Sequence, residues 1–264
     1  MLKEKKLFLF DIDGTIAVEE QLFDGTMDLL KHIENIGGIA MYISNNSTKS
    51  REDYVRKFAN WNIQVPPSYF ITASYVTCLY MKAKYKSDKI FVIGTRSFIE
   101  ELRAFGLSVT EELESDIACV LVGFDSELTY KKLENACQLL SHSDIDFLST
   151  SPDLRCPVSF GFIPDCGSIC QMIVNATSRK PFVIGKPNPL MIELCIRESG
   201  HSKEETLVVG DRLYTDIAAG INAGVETAVV LTGEAKQADL AKTKFPPDFA
   251  FTTIRDLYDE MIDE

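Results

Sequence analysis

The sequence predicts an α/β protein with a doubly wound parallel sheet, because apolar strand-like runs alternate with amphipathic stretches from the first residues onward. "LFLFDI" (7–12) is typical of a buried strand. The stretch 27–36 has apolar residues at helical spacing, and we expect Asp24 to cap this helix and Gly37 to end it. Strands separated by helices pair in parallel and place ligands at their carboxyl ends.

The alternation continues along the chain. "IAMYIS" (39–44) predicts the next strand, and "NNSTKSREDYVRKFANW" (45–61) predicts a capped helix. The C-terminal part predicts three strands and a helix: "PFVIGKP" (181–187), "TLVVGD" (206–211), "ETAVVLTG" (226–233) and the helical "YTDIAAGINAG" (214–224). The middle of the chain repeats the rhythm in "KIFVIG" (89–94), "FIEELRAFG" (98–106), "IACVLVGFD" (117–125), "TYKKLENACQLL" (129–140) and "IDFLSTSPD" (145–153). From the pattern alone, this middle part either extends the same sheet or forms an inserted domain.

Composition limits the classes of function. The chain has 264 residues, of which 45% are hydrophobic and 25% charged, so it is neither disordered nor fibrous. Lys and Arg number 27 against 39 Asp and Glu, which gives a formal net charge of -12. An acidic body argues against sequence-independent nucleic-acid binding and against docking on anionic membranes. The acidic composition is still compatible with a small anionic substrate. A lysine and a metal ion close to the substrate outweigh the electrostatic field of the more distant acidic residues.

The cysteines and the N-terminal segment indicate where the protein works. The seven cysteines are odd in number and include no Cys-x-x-Cys spacing, which favours reduced thiols in a cytoplasmic protein. "MLKEKKLFLF" (1–10) superficially resembles a signal peptide, but its apolar stretch is short and runs directly into Asp11 and Asp13. No stretch approaches the roughly 20 apolar residues of a membrane span. We therefore expect a soluble, cytoplasmic protein.

Polar residues follow four of the predicted strands. They are Asp11 and Asp13, the segment Ser44-Asn45-Asn46-Ser47, Lys186, and Asp211. Carboxyl ends of parallel strands meet at one edge of a sheet, so we expect these groups to converge there. Burying carboxylates is costly unless they are paired or bound to a metal. Each motif alone also has an ordinary structural interpretation, but the ordered set favours a functional site.

The converging residue types are those that phosphoryl chemistry requires. Asp11 and Asp211 can ligate Mg²⁺, which prefers one or two carboxylates together with water and substrate phosphate. Lys186 offsets phosphoryl charge, and Ser44 and Asn45 offer donors ahead of a predicted helix N-terminus. Asp11 can attack phosphorus to form an aspartyl-phosphate. Asp13 can protonate the leaving oxygen and later activate water.

Four ordered motifs, "DIDGT", "SNNS", "GKP" and "GDRLYTD", resemble those of the haloacid-dehalogenase superfamily of phosphohydrolases. "VLVGFDSELTYKKL" and "FLSTSPD" resemble cap segments of its NagD-like, p-nitrophenylphosphatase branch. This resemblance implies a Rossmann-like core over 1–80 and 181–264, with an inserted α/β cap (class 2A) over 81–180.

The resemblance also assigns roles to matching residues. Asp11 would be the nucleophile and Asp13 the acid/base. Phosphate or substrate would be bound by Ser44, Asn45, Asn46 and Lys186. Magnesium would be held by Asp11, the Asp13 carbonyl and Asp211, with Asp216 supporting the ligands from outside the coordination sphere.

Two segments depart from the pattern of the branch. Ser151 stands where the branch usually has Asn, and "PDCGS" (164–168) replaces a Pro-Gly-x-Gly-Ser segment. We expect both in the cap, facing substrate. Arg212, which follows Asp211 in the motif "GDRLYTD", either contacts substrate or forms a salt bridge.

The predicted function is magnesium-dependent hydrolysis of small soluble phosphate monoesters, such as sugar phosphates, nucleotides or p-nitrophenyl phosphate. Neither nucleic acid nor membrane is an expected partner, and the sequence leaves a homo-oligomer open. A phosphomutase would show itself by an isomerised product, and a phospho-signalling receiver by a stable phospho-form. A dehalogenase ranks lower because it has little use for Asp13 or magnesium.

Overall fold

The computed structural model describes residues 2–158 and 160–263. The strands are β1 (Leu7–Phe10), β2 (Ala17–Val18), β3 (Gln21–Leu22), β4 (Ile39–Ser44), β5 (Phe70–Thr72), β6 (Lys89–Ile93), β7 (Ser108–Thr110), β8 (Ile117–Val122), β9 (Asp146–Ser149), β10 (Arg155–Val158), β11 (Gly161–Pro164), β12 (Phe182–Val183), β13 (Thr206–Gly210), β14 (Glu226–Val230) and β15 (Phe249–Phe251). The helices are α1 (Thr26–Asn35), α2 (Arg51–Asn60), α3 (Ala73–Tyr85), α4 (Arg96–Ala104), α5 (Tyr130–Leu140), α6 (Cys166–Thr177), α7 (Leu190–Ser199), α8 (Ala218–Ala223), α9 (Gln237–Leu240) and α10 (Ile254–Asp263). A π-helical turn, Leu213–Ile217, leads into α8.

The chain forms two compact units. The first unit comprises residues 1–44, 51–71 and 186–264, and the second comprises residues 45–50 and 72–185. The first unit holds a six-stranded sheet in the order β15-β14-β13-β1-β4-β5. The pairs of β1 with β13 and β4, and of β14 with β13 and β15, are parallel, which confirms the predicted sheet.

The position of β1 follows from its sequence. All four of its residues are buried, as expected for a central strand covered on both faces. Its last residue, Phe10, is opposite Val209 of β13 and Tyr42 of β4. The chain therefore leaves β1, β4 and β13 at the same edge, where Asp11, Ser44 and Asp211 follow or end these strands.

An aromatic cluster anchors α2 to this sheet. The Tyr42 ring lies 4.5 Å from that of Phe58 and 5.3 Å from that of Phe70, measured between centroids. Tyr54 stacks on Phe70 at 5.7 Å. These contacts fix which face of α2 is directed towards the end of β4, and that orientation matters for the site.

Two predicted helix starts are wrong. Gly25, not Asp24, precedes the first residue of α1, and its φ of 86° is in the left-handed region that glycine tolerates. Asp24 instead accepts a hydrogen bond from Arg255 Nε at 3.2 Å. Helix α2 begins only at Arg51, so residues 45–50 form an irregular connection rather than its first turns.

The second unit contains a five-stranded sheet in the order β12-β9-β8-β6-β7, whose pairs are parallel, and the hairpin β10-β11. Its helices α3, α4 and α5 begin at threonine caps, whose hydroxyls accept backbone hydrogen bonds from three residues further on. The strand-like runs of the middle segment correspond to β6, β8 and β9. The alternation there is thus a separate sheet.

The unit boundaries differ from the predicted ones at residues 80 and 181. Helix α3 belongs to the second unit, because Tyr85 donates a hydrogen bond to Asp146 at 2.6 Å and the rings of Tyr75 and Phe105 lie 5.9 Å apart. Strand β12 also belongs there, since it pairs with β9. The expectation that all four polar positions follow strands of one sheet is therefore wrong for Lys186.

Among the described residues, no helix is both long and apolar enough to cross a membrane. All seven cysteines are free thiols.

Candidate active site

Three carboxylates converge at the end of β1. The Asp11 backbone N–H donates to the Val209 carbonyl at 2.9 Å, which continues the pairing of β1 with β13 by one residue. Asp211 follows β13 directly, and Asp216 lies on the π-helical turn after it. One carboxylate oxygen from each of these three residues lies within 4.8 Å of the other two.

Lys186 is the cation of this cluster. Its Nζ lies 2.6 Å from Asp11 Oδ1 and 2.6 Å from Asp216 Oδ1, and it donates to the Ile43 carbonyl at 3.1 Å. Its side chain is 2% exposed, so the ammonium depends on these partners in place of water. The structure thus brings together Asp11, Lys186 and Asp211, although Lys186 does not follow a strand of this sheet.

The protonation behaviour of the cluster follows from burial and charge. Burial raises the pKa of Asp11 well above its usual range, and the Asp216 and Asp211 charges add to this effect although Lys186 opposes it. Burial and the Asp216 charge raise the pKa of Asp211 to about 6. Burial disfavours the charged form of Lys186, but Asp11 and Asp216 raise the pKa of its ammonium above the ordinary value.

This donor set fits a hard divalent cation. Three carboxylates face one ammonium, so the cluster has an excess of negative charge and offers only oxygen ligands besides Lys186. Hard cations such as Mg²⁺ select carboxylate and carbonyl oxygens. Asp216 is further committed to the protein, because its Oδ2 accepts the Arg212 backbone N–H at 3.0 Å.

The Asp211 carboxylate is fixed from two sides. Its Oδ2 accepts the Glu234 backbone N–H at 2.7 Å, and Thr15 Oγ1 lies 3.5 Å from its Oδ1. A Cβ at Gly233 would lie 2.0 Å from Asp211 Oδ2, so the loop after β14 approaches the carboxylate as only glycine allows. Arg212 forms a salt bridge with Glu234 at 3.2 Å, which holds the same loop.

Asp13 lies outside the carboxylate cluster. Its Oδ1 accepts a hydrogen bond from Lys57 Nζ at 3.1 Å. The Asp13 side chain is 36% exposed, against 14% for that of Asp11. Gly14 has a φ of 98°, and this left-handed residue turns the chain directly after Asp13. The two aspartates of "DIDGT" therefore have different partners and different access to water.

The segment that begins at Ser44 is only partly as predicted. Ser44 ends β4, and its Oγ lies 3.0 Å from the Tyr54 hydroxyl. Asn45 Nδ2 donates to Asp153 Oδ2 at 3.1 Å, and Asn46 Oδ1 accepts the Thr48 backbone N–H at 2.8 Å. Because α2 begins at Arg51, these residues do not lie at a helix N-terminus, and any anion contact there would use side chains and loop backbone.

The two segments that depart from the pattern of the branch make internal contacts. Ser151 is buried, and its Oγ donates to Asp153 Oδ2 at 3.3 Å. Asp165 is the N-cap of α6, and its Oδ1 accepts the Cys166 backbone N–H at 2.6 Å. Both residues thus shape the fold of the second unit.

Sequence reasoning missed several residues beside the site. Lys57 and Glu234 contact Asp13 and Asp211, yet neither belongs to a motif that suggested a functional group, and Thr15, the last residue of "DIDGT", had no predicted contact with Asp211. A signal for Lys57 was available, because this lysine lies three residues after Tyr54 and next to Phe58 on the apolar face of α2. A lysine on an apolar helix face implies an acidic partner for its ammonium.

The fold and the acidic site define a haloacid dehalogenase-like hydrolase, and the chain belongs to that family. A haloacid dehalogenase-like hydrolase model matches residues 8–108, and a second HAD-hydrolase-like model matches residues 183–257. Within the family, the chain falls among the phosphatases related to NagD and 4-nitrophenylphosphatase.

Individual relatives support this placement. An acid sugar phosphatase of Staphylococcus aureus strain MRSA252 is 30% identical over 261 residues, which cover 98% of this chain and 99% of the relative. The solved 4-nitrophenylphosphatase of Thermotoga maritima is 36% identical, covers 98% of both chains and superposes with a TM-score of 0.91. NagD from E. coli K-12 is 29% identical, covers 96% of this chain and 98% of its own, and has a TM-score of 0.85.

Proposed function

We propose that this protein hydrolyses small soluble phosphate monoesters with Mg²⁺ and an aspartyl-phosphate intermediate on Asp11. The observation that carries the proposal is the position of Asp11, whose carboxylate lies 2.6 Å from the buried Lys186 ammonium and within 4.8 Å of the Asp211 and Asp216 carboxylates. The groups that we propose as nucleophile, as cation for the phosphoryl oxygens and as metal ligands are thus close together.

Asp11, Asp211 and the backbone carbonyl of Asp13 would hold Mg²⁺. Asp216 would support the site through its contacts with Lys186 and the Arg212 backbone, outside the metal's ligands. When bound, Mg²⁺ would offset the negative charge of the phosphoryl group and of the carboxylates, which otherwise repel it. Lys186 would supply a second positive charge on the same group.

The chain's own residues account for both chemical steps. An oxygen of Asp11 attacks phosphorus, the bond from phosphorus to the ester oxygen breaks, and Asp13 donates a proton to the departing alcohol. In the second step Asp13 takes a proton from water, the water oxygen attacks the phosphorus of the aspartyl-phosphate, and inorganic phosphate leaves with Asp11 restored. Asp13 suits this exchange because it is more exposed than Asp11 and lies outside the carboxylate cluster.

The phosphate-binding roles of Ser44, Asn45, Asn46 and Lys186 are part of the proposal. Ser44 supports it by its place at the end of β4, the strand beside β1, while Lys186 contacts Asp11 directly. We assign the second unit the role of a cap that limits access to small esters. Sugar phosphates, nucleotides and p-nitrophenyl phosphate are the candidate substrates, and the acid sugar phosphatase and 4-nitrophenylphosphatase relatives favour sugar and aryl phosphates. The free thiols favour a cytoplasmic location.

The test is phosphate release from p-nitrophenyl phosphate and a panel of metabolite phosphates, with Mg²⁺ and with EDTA. We expect release with Mg²⁺, none with EDTA, and inhibition by Ca²⁺, whose looser coordination disturbs in-line geometry. The control variant Asp248→Asn removes a carboxylate of the same unit that contacts Thr227 instead of the cluster, and it should keep the wild-type metal requirement. Full hydrolysis in metal-free buffer would remove the assignment.

A further inference from the structure

We propose that Lys57 is a positioning residue that orients the Asp13 carboxyl for proton transfer, an inference that rests on the proposed function. Lys57 lies in α2, and its Nζ is 3.1 Å from Asp13 Oδ1. Its side chain is only 7% exposed. Among the residues that the structure describes, Asp13 supplies the carboxylate that pairs with the Lys57 ammonium.

The face of α2 around Lys57 is directed at the segments that follow β1 and β4. Tyr54 and Lys57 are three residues apart and share one side of the helix, and Trp61 is the residue directly after its end. The Tyr54 hydroxyl meets Ser44 Oγ, and the Trp61 indole donates to the Glu20 carbonyl at 2.8 Å. Lys57 lies between these anchored residues, so the position of its ammonium is set by the helix.

A second contact restricts the lysine side chain itself. Lys57 Nζ lies 5.2 Å from the centre of the Trp61 ring, a cation–π distance. Trp61 also packs against Phe58, with ring centres 5.1 Å apart. A lysine that is held by an aromatic face and a helix loses little further freedom when it binds Asp13, which makes the contact well suited to fixing a rotamer.

The Lys57 ammonium contacts one of the two carboxylate oxygens of Asp13, Oδ1. With Oδ1 held by the ammonium, Oδ2 is the oxygen that would exchange a proton with the leaving group and with water. An unprotonated carboxyl oxygen accepts a hydrogen bond whether or not the other oxygen carries a proton, so Lys57 can hold Asp13 through both chemical steps. Misplacement of a reacting group by about 1 Å costs on the order of 100-fold in rate, which is why such a hold matters.

The experiment compares Lys57→Met with wild type on two esters: p-nitrophenyl phosphate and the alkyl phosphate that the wild type hydrolyses fastest. An alkoxide needs a proton to depart and a nitrophenolate does not, so kcat/KM, which reports formation of the aspartyl-phosphate, should fall about tenfold more on the alkyl ester than on the aryl ester. The Mg²⁺ requirement should stay near wild type. Lys57→Arg keeps a cation and should recover most of the lost alkyl activity.

Two controls separate orientation from general damage. Arg56→Met removes the same charge from the neighbouring position of α2, where the side chain is 71% exposed, and it should leave both rates unchanged. In an Asp13→Asn background, Lys57→Met should cost nothing further, because the residue on which it acts is gone. If Lys57→Met does not fold, Lys57→Gln is compared in the same way.

The outcomes distinguish this inference from the proposed function. Equal losses of kcat/KM on both esters, or the same loss with and without Asp13, would overturn the positioning role while leaving the phosphatase intact. Wild-type protein that hydrolyses neither ester would overturn the proposed function and this inference with it.

Discussion

Asp11 and Asp13 are two positions apart in the chain, but the fold gives them different surroundings. Asp11 continues the pairing of β1 with β13 and contacts Lys186, whereas Asp13 contacts Lys57 on α2. Burial and the neighbouring carboxylates raise the pKa of Asp11, so a cation is needed to keep it ionised as a nucleophile. These environments support the proposed division of labour between Asp11 as nucleophile and Asp13 as acid/base.

Replacing Asp13 tests its proposed role as the acid/base. Asp13→Asn keeps the nucleophile but removes the proton donor, so steady-state hydrolysis should fall by about 10²- to 10⁴-fold. The first step with p-nitrophenyl phosphate should survive better than with an alkyl phosphate, because nitrophenolate departs without a proton. Stopped-flow absorbance measures the first step with p-nitrophenyl phosphate, and steady-state turnover measures the loss with the alkyl phosphate. Equal loss on both esters with no nitrophenolate burst would count against Asp13 as the acid/base.

For single residues, the sequence predicts the surroundings of those that follow strands better than the surroundings of those within helices. Asp11, Asp211 and Ser44 stand at or directly after apolar runs, and parallel pairing brings such positions together. Lys57 could not be assigned to Asp13 from the sequence, because the contact depends on how α2 packs against the sheet. The contacts of Glu234 and Thr15 with Asp211 likewise depend on tertiary structure.

At the scale of elements, the loop after β14 is as important to the site as the strands are. Its Glu234 backbone N–H binds Asp211, and Gly233 leaves room for that carboxylate. The Arg212–Glu234 salt bridge holds the loop from its other side. The loop thereby fixes the carboxylate of Asp211, a proposed metal ligand.

Gly233→Ala tests the role of this loop. The added Cβ would lie 2.0 Å from Asp211 Oδ2, so the loop or the carboxylate must shift and the Glu234 contact must lengthen. We expect Mg²⁺ affinity to fall by about 10- to 100-fold, as for loss of other groups that orient metal ligands. Titration of activity against Mg²⁺ measures this effect.

The matched control for that variant is Gly200→Ala at the end of α7. Gly200 is left-handed, with φ of 74°, and has no atom within 4 Å of an added Cβ. This variant should lose about 1 kcal/mol of stability and keep wild-type Mg²⁺ affinity. Unchanged affinity in Gly233→Ala would show that the loop does not orient Asp211.

Long apolar runs predicted the strands that build both sheets, but short elements escaped detection. The three-residue strands β5, β7 and β15 and the hairpin β10-β11 carry too few residues for a periodic signal. Strand β12 was expected from its sequence, but its sheet was misassigned because pairing with β9 is a long-range choice. The start of α1 was misplaced because Asp24 pairs with Arg255, which is distant in sequence.

At the scale of the whole molecule, the acidic cluster links stability to pH and to metal. In metal-free protein the pKa of Asp211 is about 6, above its ordinary value, chiefly because of burial. A carboxyl with a raised folded-state pKa contributes stability below its unfolded pKa and loses it as pH rises through the folded value. The metal-free protein should therefore lose stability between pH 4 and about pH 7.

Denaturant unfolding with EDTA and with Mg²⁺ checks this expectation. We expect the free energy of unfolding of the metal-free protein to fall on the order of 2 kcal/mol over that range, and Mg²⁺ to restore more of it at pH 7 than at pH 5. Asp211→Asn should flatten the pH dependence, which separates the cluster from the general effect of an acidic surface. Identical pH profiles for wild type and Asp211→Asn would refute the linkage.

The most direct test of the central claim is to trap the phosphoryl group on Asp11. The Asp13→Asn variant is mixed with p-nitrophenyl phosphate and Mg²⁺, quenched in acid within the first turnover, and analysed by intact mass and peptide mapping. We expect a nitrophenolate burst matched by one phosphoryl group per chain, on the peptide that contains Asp11, and no adduct in Asp11→Asn or with EDTA. Hydrolysis without a covalent adduct, or an adduct on another residue, would contradict it.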